Sequence, residues 1–450
     1  MEPAPGRIWQ FEELALRIER DGASRYAVRV TQSPYGSKAR HTAFAFSKQE
    51  GLELIHTVEA SLLAGYRQGA TAARDLGRTG SASPRGLSPQ AVGDRLFRSL
   101  FSGSVQETLL LSLGRVENQP NTGLRIRLQL DPSLPDMAEI SALPWELIYR
   151  ADTRDHLARN PLTPLVRYLE VPRLTAAAPL PSSLRMLIVR ARPRGSGLLD
   201  LEAESDRLAA SWQLQKAAEI EVLDPATLSG LRLKLMSDVY HVLHFMGHGD
   251  FAAATGEGSL VFEDARGDPA LVSGRLLADT LKDCRSLRLV FLNACDTASS
   301  PRRQGQDPFS GVASALVMAG IPSVLAMQFP ISDQAALVFS QHFYEALASG
   351  LPVDAAAAEG RLAVYLSSPT SWEWATPALF MSVLDGRILA PVEATRLDPA
   401  SRGSLPEKPA RPIQADTVGA AGGVTVGGVG QRITGGIRIS RAGTTDEPRE

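Results

Sequence analysis

The first part of the chain shows apolar and polar residues in alternation. Leu124-Arg-Ile-Arg-Leu-Gln-Leu130 alternates over seven positions, a pattern typical of a half-buried strand. The other elements predicted in this part are a strand at 26–30, a turn at 33–36, a helix from Ser47 to Leu54 and a helix over 92–114. This part of the chain is therefore a mixture of strands and helices.

From residue 184 short apolar runs alternate with helical segments. Met186-Leu-Ile-Val189 is continuously apolar, as expected of a strand that is covered on both faces. The predicted strands are 186–189, 220–223, 240–245, 287–292 and 322–327, with a hairpin made of 259–262 and 269–272. The predicted helices are 200–217, 226–236, 274–283, 309–319, 333–348 and 353–366. Such alternation predicts the α/β class, with a mostly parallel sheet and helices on both faces.

Three stretches have the composition of loops or tails. Residues 70–92 are rich in Gly, Ser, Pro and Arg, and residues 391–422 are predicted to be a flexible linker. Beyond them, residues 423–450 are rich in Gly and Val and regain β alternation. This tail is either disordered or a short β-hairpin that pairs with a partner's edge strand.

Composition and charge exclude several classes of function. The 450 residues are 44% apolar and 21% charged with a formal net charge of -2, so no basic excess points to nucleic acid. Two cysteines without a C-x-x-C motif favour a reducing, cytoplasmic compartment and no zinc site. No signal peptide and no membrane span are expected, and nothing in the sequence calls for a cofactor or a metal.

Candidate chemistry appears after two predicted strands. His248 follows the strand at 240–245, and Cys295 follows the strand at 287–292. Ligand sites in open α/β sheets form outside the carboxyl ends of the strands, so an imidazole and a thiol are expected to meet there. The predicted roles are Cys295 as the nucleophile and His248 as its base.

The neighbours of this pair suggest how a substrate would be held. The backbone N–H groups of Gly249 and Cys295 are the predicted oxyanion-hole donors. Asn293 shares a strand face with Cys295 and is expected to line the pocket for the residue before the scissile bond. The polar and acidic character of Asn293, Asp250 and Asp296 mildly favours a basic substrate residue there.

Other interpretations remain open for the same residues. A single cysteine at a strand end is often a buried small hydrophobe, and a single histidine is often a satisfied core residue. Gly247-His-Gly249-Asp-Phe-Ala252 matches a dinucleotide-binding fingerprint, but that fingerprint must open a helix, and Gly256 and Gly258 interrupt the segment. Cys284, His241 and His244 are interpreted as structural residues.

At His244-Phe-Met-Gly-His-Gly249 and Leu292-Asn-Ala-Cys-Asp-Thr297 the chain resembles the CHAT family of caspase-like and separase-like cysteine peptidases. The 47-residue separation of His248 and Cys295 is similar to the spacing of about 50 in caspases. Further segments that resemble the family are Leu143-Pro-Trp-Glu-Leu147, Thr163-Pro-Leu-Val-Arg-Tyr168, Asp307-Pro-Phe-Ser-Gly-Val312, Ala326-Met-Gln-Phe-Pro-Ile331 and Glu373-Trp-Ala-Thr-Pro-Ala-Leu-Phe380.

The resemblance implies a caspase-like fold, a cysteine endopeptidase activity and a protein substrate, with an activating partner protein as a further possibility. It divides the chain into an N-terminal α/β adaptor region at 1–90, a degenerate caspase-like half at 91–180 and a catalytic domain at 181–390. Bacterial members of the family act in defence or regulated-death pathways. The alternative is a catalytically silent or latent scaffold that binds partner proteins, because a fold alone does not establish activity.

Asp296 and Thr297 follow the nucleophile where caspases have Arg-Gly, so the aspartate specificity of caspases does not carry over. No tetratricopeptide repeats are visible in the sequence, although many relatives have them.

Overall fold

The structure is a computed structural model of the 450-residue chain. It describes residues 10–21, 26–36, 41–44, 46–72, 88–130, 137–171, 181, 183–196, 202, 204–208, 218–252, 257–296 and 308–388. The predicted linker at 391–422, the predicted tail at 423–450, most of the predicted loop at 70–92 and most of the predicted helix at 200–217 lie outside these residues. The described residues belong to one compact unit, 1–394.

Fifteen strands occur in the described part of the chain. They are β1 (Gln10–Arg20), β2 (Tyr26–Gln32), β3 (His41–Phe44), β4 (Thr122–Gln129), β5 (Tyr149–Arg150), β6 (Asp155–His156), β7 (Leu165–Tyr168), β8 (Leu184–Arg190), β9 (Ala218–Leu223), β10 (Val242–Ala252), β11 (Glu257–Glu263), β12 (Pro269–Ser273), β13 (Leu289–Asp296), β14 (Ser323–Met327) and β15 (Pro377–Met381). All but β5 and β6 join one 13-stranded sheet.

Besides the short helical segment at 204–208, nine α-helices occur in the described residues, and several of them begin at a capping side chain. They are α1 (Lys48–Ala72), α2 (Pro89–Leu100), α3 (Gly103–Glu117), α4 (Ala138–Ser141), α5 (Leu228–Ser237), α6 (Gly274–Leu281), α7 (Pro308–Met318), α8 (Asp333–Ala348) and α9 (Val353–Ser367). Ser47 and Glu50 cap α1 reciprocally, since each side chain accepts a hydrogen bond from the other residue's backbone N–H, at 3.2 and 2.9 Å. Ser332 caps α8 by accepting from the N–H of Ala335 at 3.3 Å.

The sheet follows the order β12-β11-β10-β13-β14-β15-β7-β4-β1-β2-β3, and β8 and β9 branch from β10. Strands β9, β8, β10, β13 and β14 run parallel to one another, as do β15, β7, β4 and β1. Within this sheet the antiparallel pairs are β1 with β2, β2 with β3, β10 with β11, β11 with β12 and β14 with β15. The predicted α/β class with a mostly parallel sheet is therefore confirmed.

Two apolar layers cover the faces of the central strands. Alternate residues of β10 and β13 divide between the layers, as the period of two in a strand requires. Met246 and Phe291 belong to a first layer with Phe339 and Phe343 of α8. Phe245, Leu292 and their neighbours belong to a second layer with residues of α5, α6 and α7. Coverage on both faces explains why these strands appear in the sequence as nearly continuous apolar runs.

Some predicted boundaries are wrong. The helix predicted over 92–114 is two helices, α2 and α3, because Phe101 and Ser102 leave the helical conformation and Gly103 has φ of +53°. The helix from Ser47 continues past Leu54 to Ala72. The strands predicted at 240–245 and 287–292 extend to Ala252 and Asp296, so His248 and Cys295 lie within strands and not after them.

A buried polar network joins distant segments of the chain. Arg167 on β7 donates to the Glu146 carboxylate at 3.1 and 2.5 Å and to the side-chain oxygen of Gln328 at 2.5 Å. Gln328 in turn donates to the carbonyl of Ala142 at 2.6 Å. Each of these side chains is almost completely buried, so the network fixes β7, the end of β14 and the 142–146 segment together.

No helix among the described residues is long and apolar enough to cross a bilayer.

Candidate active site

The two residues predicted to carry the chemistry lie on adjacent strands. Strands β10 and β13 pair in parallel, and the register places His248 directly opposite Cys295. Neighbouring strands are about 4.8 Å apart, and positions paired in register share a face of the sheet. The fold therefore brings the backbone of the two positions as close as two parallel strands allow.

The edge of β10 forks immediately before His248. Strand β8 pairs with β10 as far as Met246, and β11 takes over the same edge at His248. Gly247 lies at the branch, where a Cβ atom would come within 3.0 Å of Ala191 Cβ and 3.2 Å of the Ala191 carbonyl oxygen. The glycine permits the end of β8 to stay against β10. The fork explains why a parallel and an antiparallel strand can share one edge next to the site.

The face that carries His248 is the one covered by α8. Residues 244, 246 and 248 alternate onto this face, and the His248 side chain is 5% exposed. Position 249 falls on the opposite face and pairs with position 296. Asp250 returns to the face of His248 and is partly exposed. Of residues 295 and 296 the structure describes the backbone.

Asn293 is the predicted pocket residue with the most informative contact. It lies two residues before Cys295 on the same face, and its amide nitrogen donates to the carboxylate of Glu204 at 2.6 Å. Glu204 belongs to a short helical segment at 204–208 that follows β8. This contact places an acidic group beside the predicted pocket, and the sequence analysis did not identify it.

Flanking residues hold the 204–208 segment in place. Arg190, the last residue of β8, donates to the Ser205 hydroxyl at 3.3 Å and pairs with Asp224 at 3.0 Å. Arg192 pairs with Glu202 at 3.0 Å. On the other side of the segment, Leu208 is buried in the layer that contains Phe339 and Phe343. The segment is therefore attached to the sheet by both polar and apolar contacts.

The environment of Glu204 favours its neutral form. Burial is the main cause, and the nearby Asp333 carboxylate adds to it, so the pKa of Glu204 rises from its usual 4.5 to about 7. The hydrogen bond from Asn293 acts in the opposite direction and is the smaller effect. Among the described residues Glu204 forms no ion pair. A cation that came close to this carboxyl would stabilise its charged form.

His244 lies four residues before His248 on β10 and on the same face, and its contacts are structural. Its ring stacks on Phe291 with centroids 4.4 Å apart, and its Nδ1 is 2.7 Å from the Tyr344 hydroxyl. Complete burial lowers the pKa of His244 to about 3, so the ring is neutral at physiological pH. Its packing with Phe291 and Tyr344 fills the same face of the sheet next to His248.

Metal binding and nucleophilic attack by a thiol are two kinds of chemistry to consider for the paired positions. Within the described ranges no group of three or more His, Cys, Asp or Glu residues is placed to hold a metal ion. A histidine and a cysteine at paired positions are the parts that a thiol nucleophile and its base require.

Comparisons with known proteins agree with this interpretation at the level of the family. Residues 90–386 match the family described as CHAT domain. No curated protein matches the chain. Among solved structures, the chain is similar to the Arg-specific cysteine proteinase gingipain R at 12% identity and a TM-score of 0.39, with 66% of this chain and 74% of the other covered.

It is also similar to the Saccharomyces cerevisiae separase-securin complex at 11% identity and a TM-score of 0.45. That match covers 83% of this chain and 30% of the length of the separase-securin chain.

Proposed function

Since the chain belongs to the CHAT domain family, we propose that it is a cysteine endopeptidase in which Cys295 is the nucleophile and His248 is its base. The protein would cleave a peptide bond of a partner protein. We propose the cytoplasm as its location and a bacterial defence or regulated-death pathway as its setting.

The proposed reaction follows acyl transfer to a thiol. His248 takes the Cys295 proton, the sulfur attacks the carbonyl carbon, and the carbonyl oxygen becomes an oxyanion that accepts hydrogen bonds from the N–H groups of Gly249 and Cys295. The imidazolium then returns its proton to the leaving amine as the C–N bond breaks. Water hydrolyses the thioester, releases the acid and regenerates the thiol.

The observation that carries this proposal is the strand register. Parallel pairing of β10 with β13 sets position 248 opposite position 295 over an uninterrupted run from Val242 to Gly249. A shift of one residue in this register would move the two positions to opposite faces. The observed register therefore supports the proposed pair.

Selective thiol labelling tests the proposal within a single molecule. Cys284 is a suitable internal control, because it is half-buried and burial raises the pKa of its thiol. We expect a peptide-based thiol electrophile at neutral pH to label Cys295 at least about tenfold faster than Cys284. The rate at Cys295 should fall to the background rate in His248→Ala, while Cys284→Ser should leave it unchanged.

The same reagents distinguish the alternative of a scaffold that binds partners without catalysis. Equal, slow labelling of the two thiols, together with unchanged labelling in His248→Ala, would overturn the peptidase proposal and favour the scaffold. Cleavage of any substrate protein that persists in Cys295→Ala would also remove Cys295 from the reaction.

A further inference from the structure

We propose that Glu204 makes the substrate site selective for a basic side chain, Arg or Lys, immediately before the scissile bond. This inference rests on the proposed function, because it names the substrate class of the same site. Its basis is the hydrogen bond that places the Glu204 carboxyl beside Asn293, two residues before the proposed nucleophile.

The position of Asn293 defines where the substrate side chain would lie. Residues 293 and 295 are about 6.6 Å apart along β13 and share a face. When the carbonyl carbon of the scissile bond is at the Cys295 position, the Cα of the residue before that bond is one bond away, and the side chain begins at the next atom. An extended Arg or Lys side chain that runs along this face spans the distance to Asn293 and to the Glu204 carboxylate behind it.

Among the described residues, no cation lies against the Glu204 carboxylate. One of its oxygens accepts from Asn293 at 2.6 Å. The groups that face it from α8 are Asp333 and Tyr344, which add negative charge and a phenol hydroxyl. An acidic substrate side chain would meet repulsion here, and an apolar one would leave the buried carboxyl uncompensated.

The guanidinium of Arg190, at the end of β8, is held by other residues. The Arg190 guanidinium is committed to Asp224 at 3.0 Å and to the Ser205 hydroxyl at 3.3 Å. The charged and hydrogen-bonding neighbours that shift the pKa of Glu204 are Asp333 and Asn293, and Arg190 is not among them. The protein therefore keeps its own cation away from Glu204, and a substrate guanidinium or ammonium would complete the pair.

Glu204 acts in this proposal as a residue that determines specificity, and it takes no part in bond cleavage. Its conservative variant keeps the hydrogen bond to Asn293, because the side-chain oxygen of glutamine still accepts from the amide. The charge is lost and the shape is preserved. The effect of the charge on substrate choice can therefore be measured separately from the effect of packing.

The test uses the full chain and a pooled synthetic peptide library with every residue type before the cleavable bond, read by mass spectrometry. We expect cleavage after Arg or Lys. Matched fluorogenic peptides with Arg or with its neutral isostere citrulline then measure the preference. We expect Glu204→Gln to lower the ratio of kcat/KM for Arg over citrulline by about 10- to 100-fold, the range for a hydrogen bond to a charged group.

The control is Asp206→Asn, which makes the same change of charge on the same segment at an exposed residue. It should leave the ratio unchanged. Cleavage after neutral or acidic residues, or an equal ratio in Glu204→Gln and wild type, overturns this inference and leaves the peptidase proposal standing. If no peptide is cleaved and Cys295 is no more reactive than Cys284, both proposals are overturned.

Discussion

A partly buried carboxyl with no cation beside it is costly to ionise, and Glu204 is such a group. Its pKa of about 7 lies above the usual 4.5, because burial and the Asp333 carboxylate disfavour the charged form. A group whose pKa is raised by folding stabilises the protein while it is protonated. That contribution is complete below about pH 4.5, declines as the pH rises and is lost above about pH 7.

We therefore expect Glu204→Gln, which is neutral at every pH, to become more stable than wild type as the pH rises. The difference in the free energy of unfolding should be below about 1 kcal/mol at pH 5 and reach at most about 3 kcal/mol above pH 7, from 1.36 kcal/mol per unit. Urea unfolding from pH 5 to 8 measures it. A constant difference across this range would show that the carboxyl is not shifted, and Asp206→Asn provides the baseline.

Glu204 also shows which part of the site the sequence could not predict. The sequence could single out His248, Asn293 and Cys295 because each follows a long apolar run that is typical of a strand. Glu204 has acidic neighbours at Glu202 and Asp206, and the local sequence does not distinguish the three. What distinguishes Glu204 is a tertiary contact with β13, 89 residues further along the chain.

At the scale of elements, the fork of β10 sets the geometry next to His248. Gly247 is the residue that the fork requires, because its missing side chain leaves room for the end of β8 at Ala191. A methyl group there would push against a backbone carbonyl and a Cβ atom, neither of which is the end of a flexible side chain. The neighbouring strands would have to separate.

We expect Gly247→Ala to destabilise the protein by about 1–3 kcal/mol, as overpacked sites do, and to slow the labelling of Cys295. Chemical denaturation and the labelling assay measure the two effects. The control is Gly311→Ala in α7, where a Cβ atom meets nothing within 4 Å, so the variant should be neutral or slightly more stable. Equal behaviour of the two variants would contradict the importance of the fork.

The sequence predicted most elements and missed where two of them end. Apolar runs located β8, β10, β13 and β14, and α8 was predicted with the bounds that the structure has. The runs end where Gly247 and Asn293 interrupt them, so the predicted strands stopped there. Both strands continue because the pairing of β10 with β11 and β13 supplies hydrogen bonds that the local pattern does not reveal.

At the scale of the whole molecule, the Arg167 network connects segments that the sequence identified separately. Three segments on which the family resemblance rests contribute Glu146, Arg167 and Gln328 to it. The sequence predicted that each segment matters and could not predict that they meet. The order of the strands, including the antiparallel insertion of β15 between β14 and β7, was equally inaccessible, because it depends on contacts across the chain.

We expect Glu146→Gln to destabilise the protein by about 3–5 kcal/mol, because it leaves the buried Arg167 charge uncompensated. The loss should appear in one cooperative transition, with the reactivity of Cys295 lost at the same denaturant concentration. Tryptophan fluorescence and thiol labelling measured together check this. The control, Asp94→Asn, breaks the exposed pair with Arg98 and should cost less than about 1 kcal/mol. Two separate transitions in Glu146→Gln would contradict the expected cooperativity.

The backbone of His248 is paired on both sides, with Val261 of β11 and with Cys295 of β13. The Cα of a residue enclosed in this way cannot move unless the pairing of β10 with β11 or with β13 is broken. Its amide hydrogen should therefore exchange with deuterium only when the sheet opens as a whole. Deuterium uptake by the 246–249 peptide at the rate of exposed loops would mean that the backbone carrying the imidazole opens locally and often.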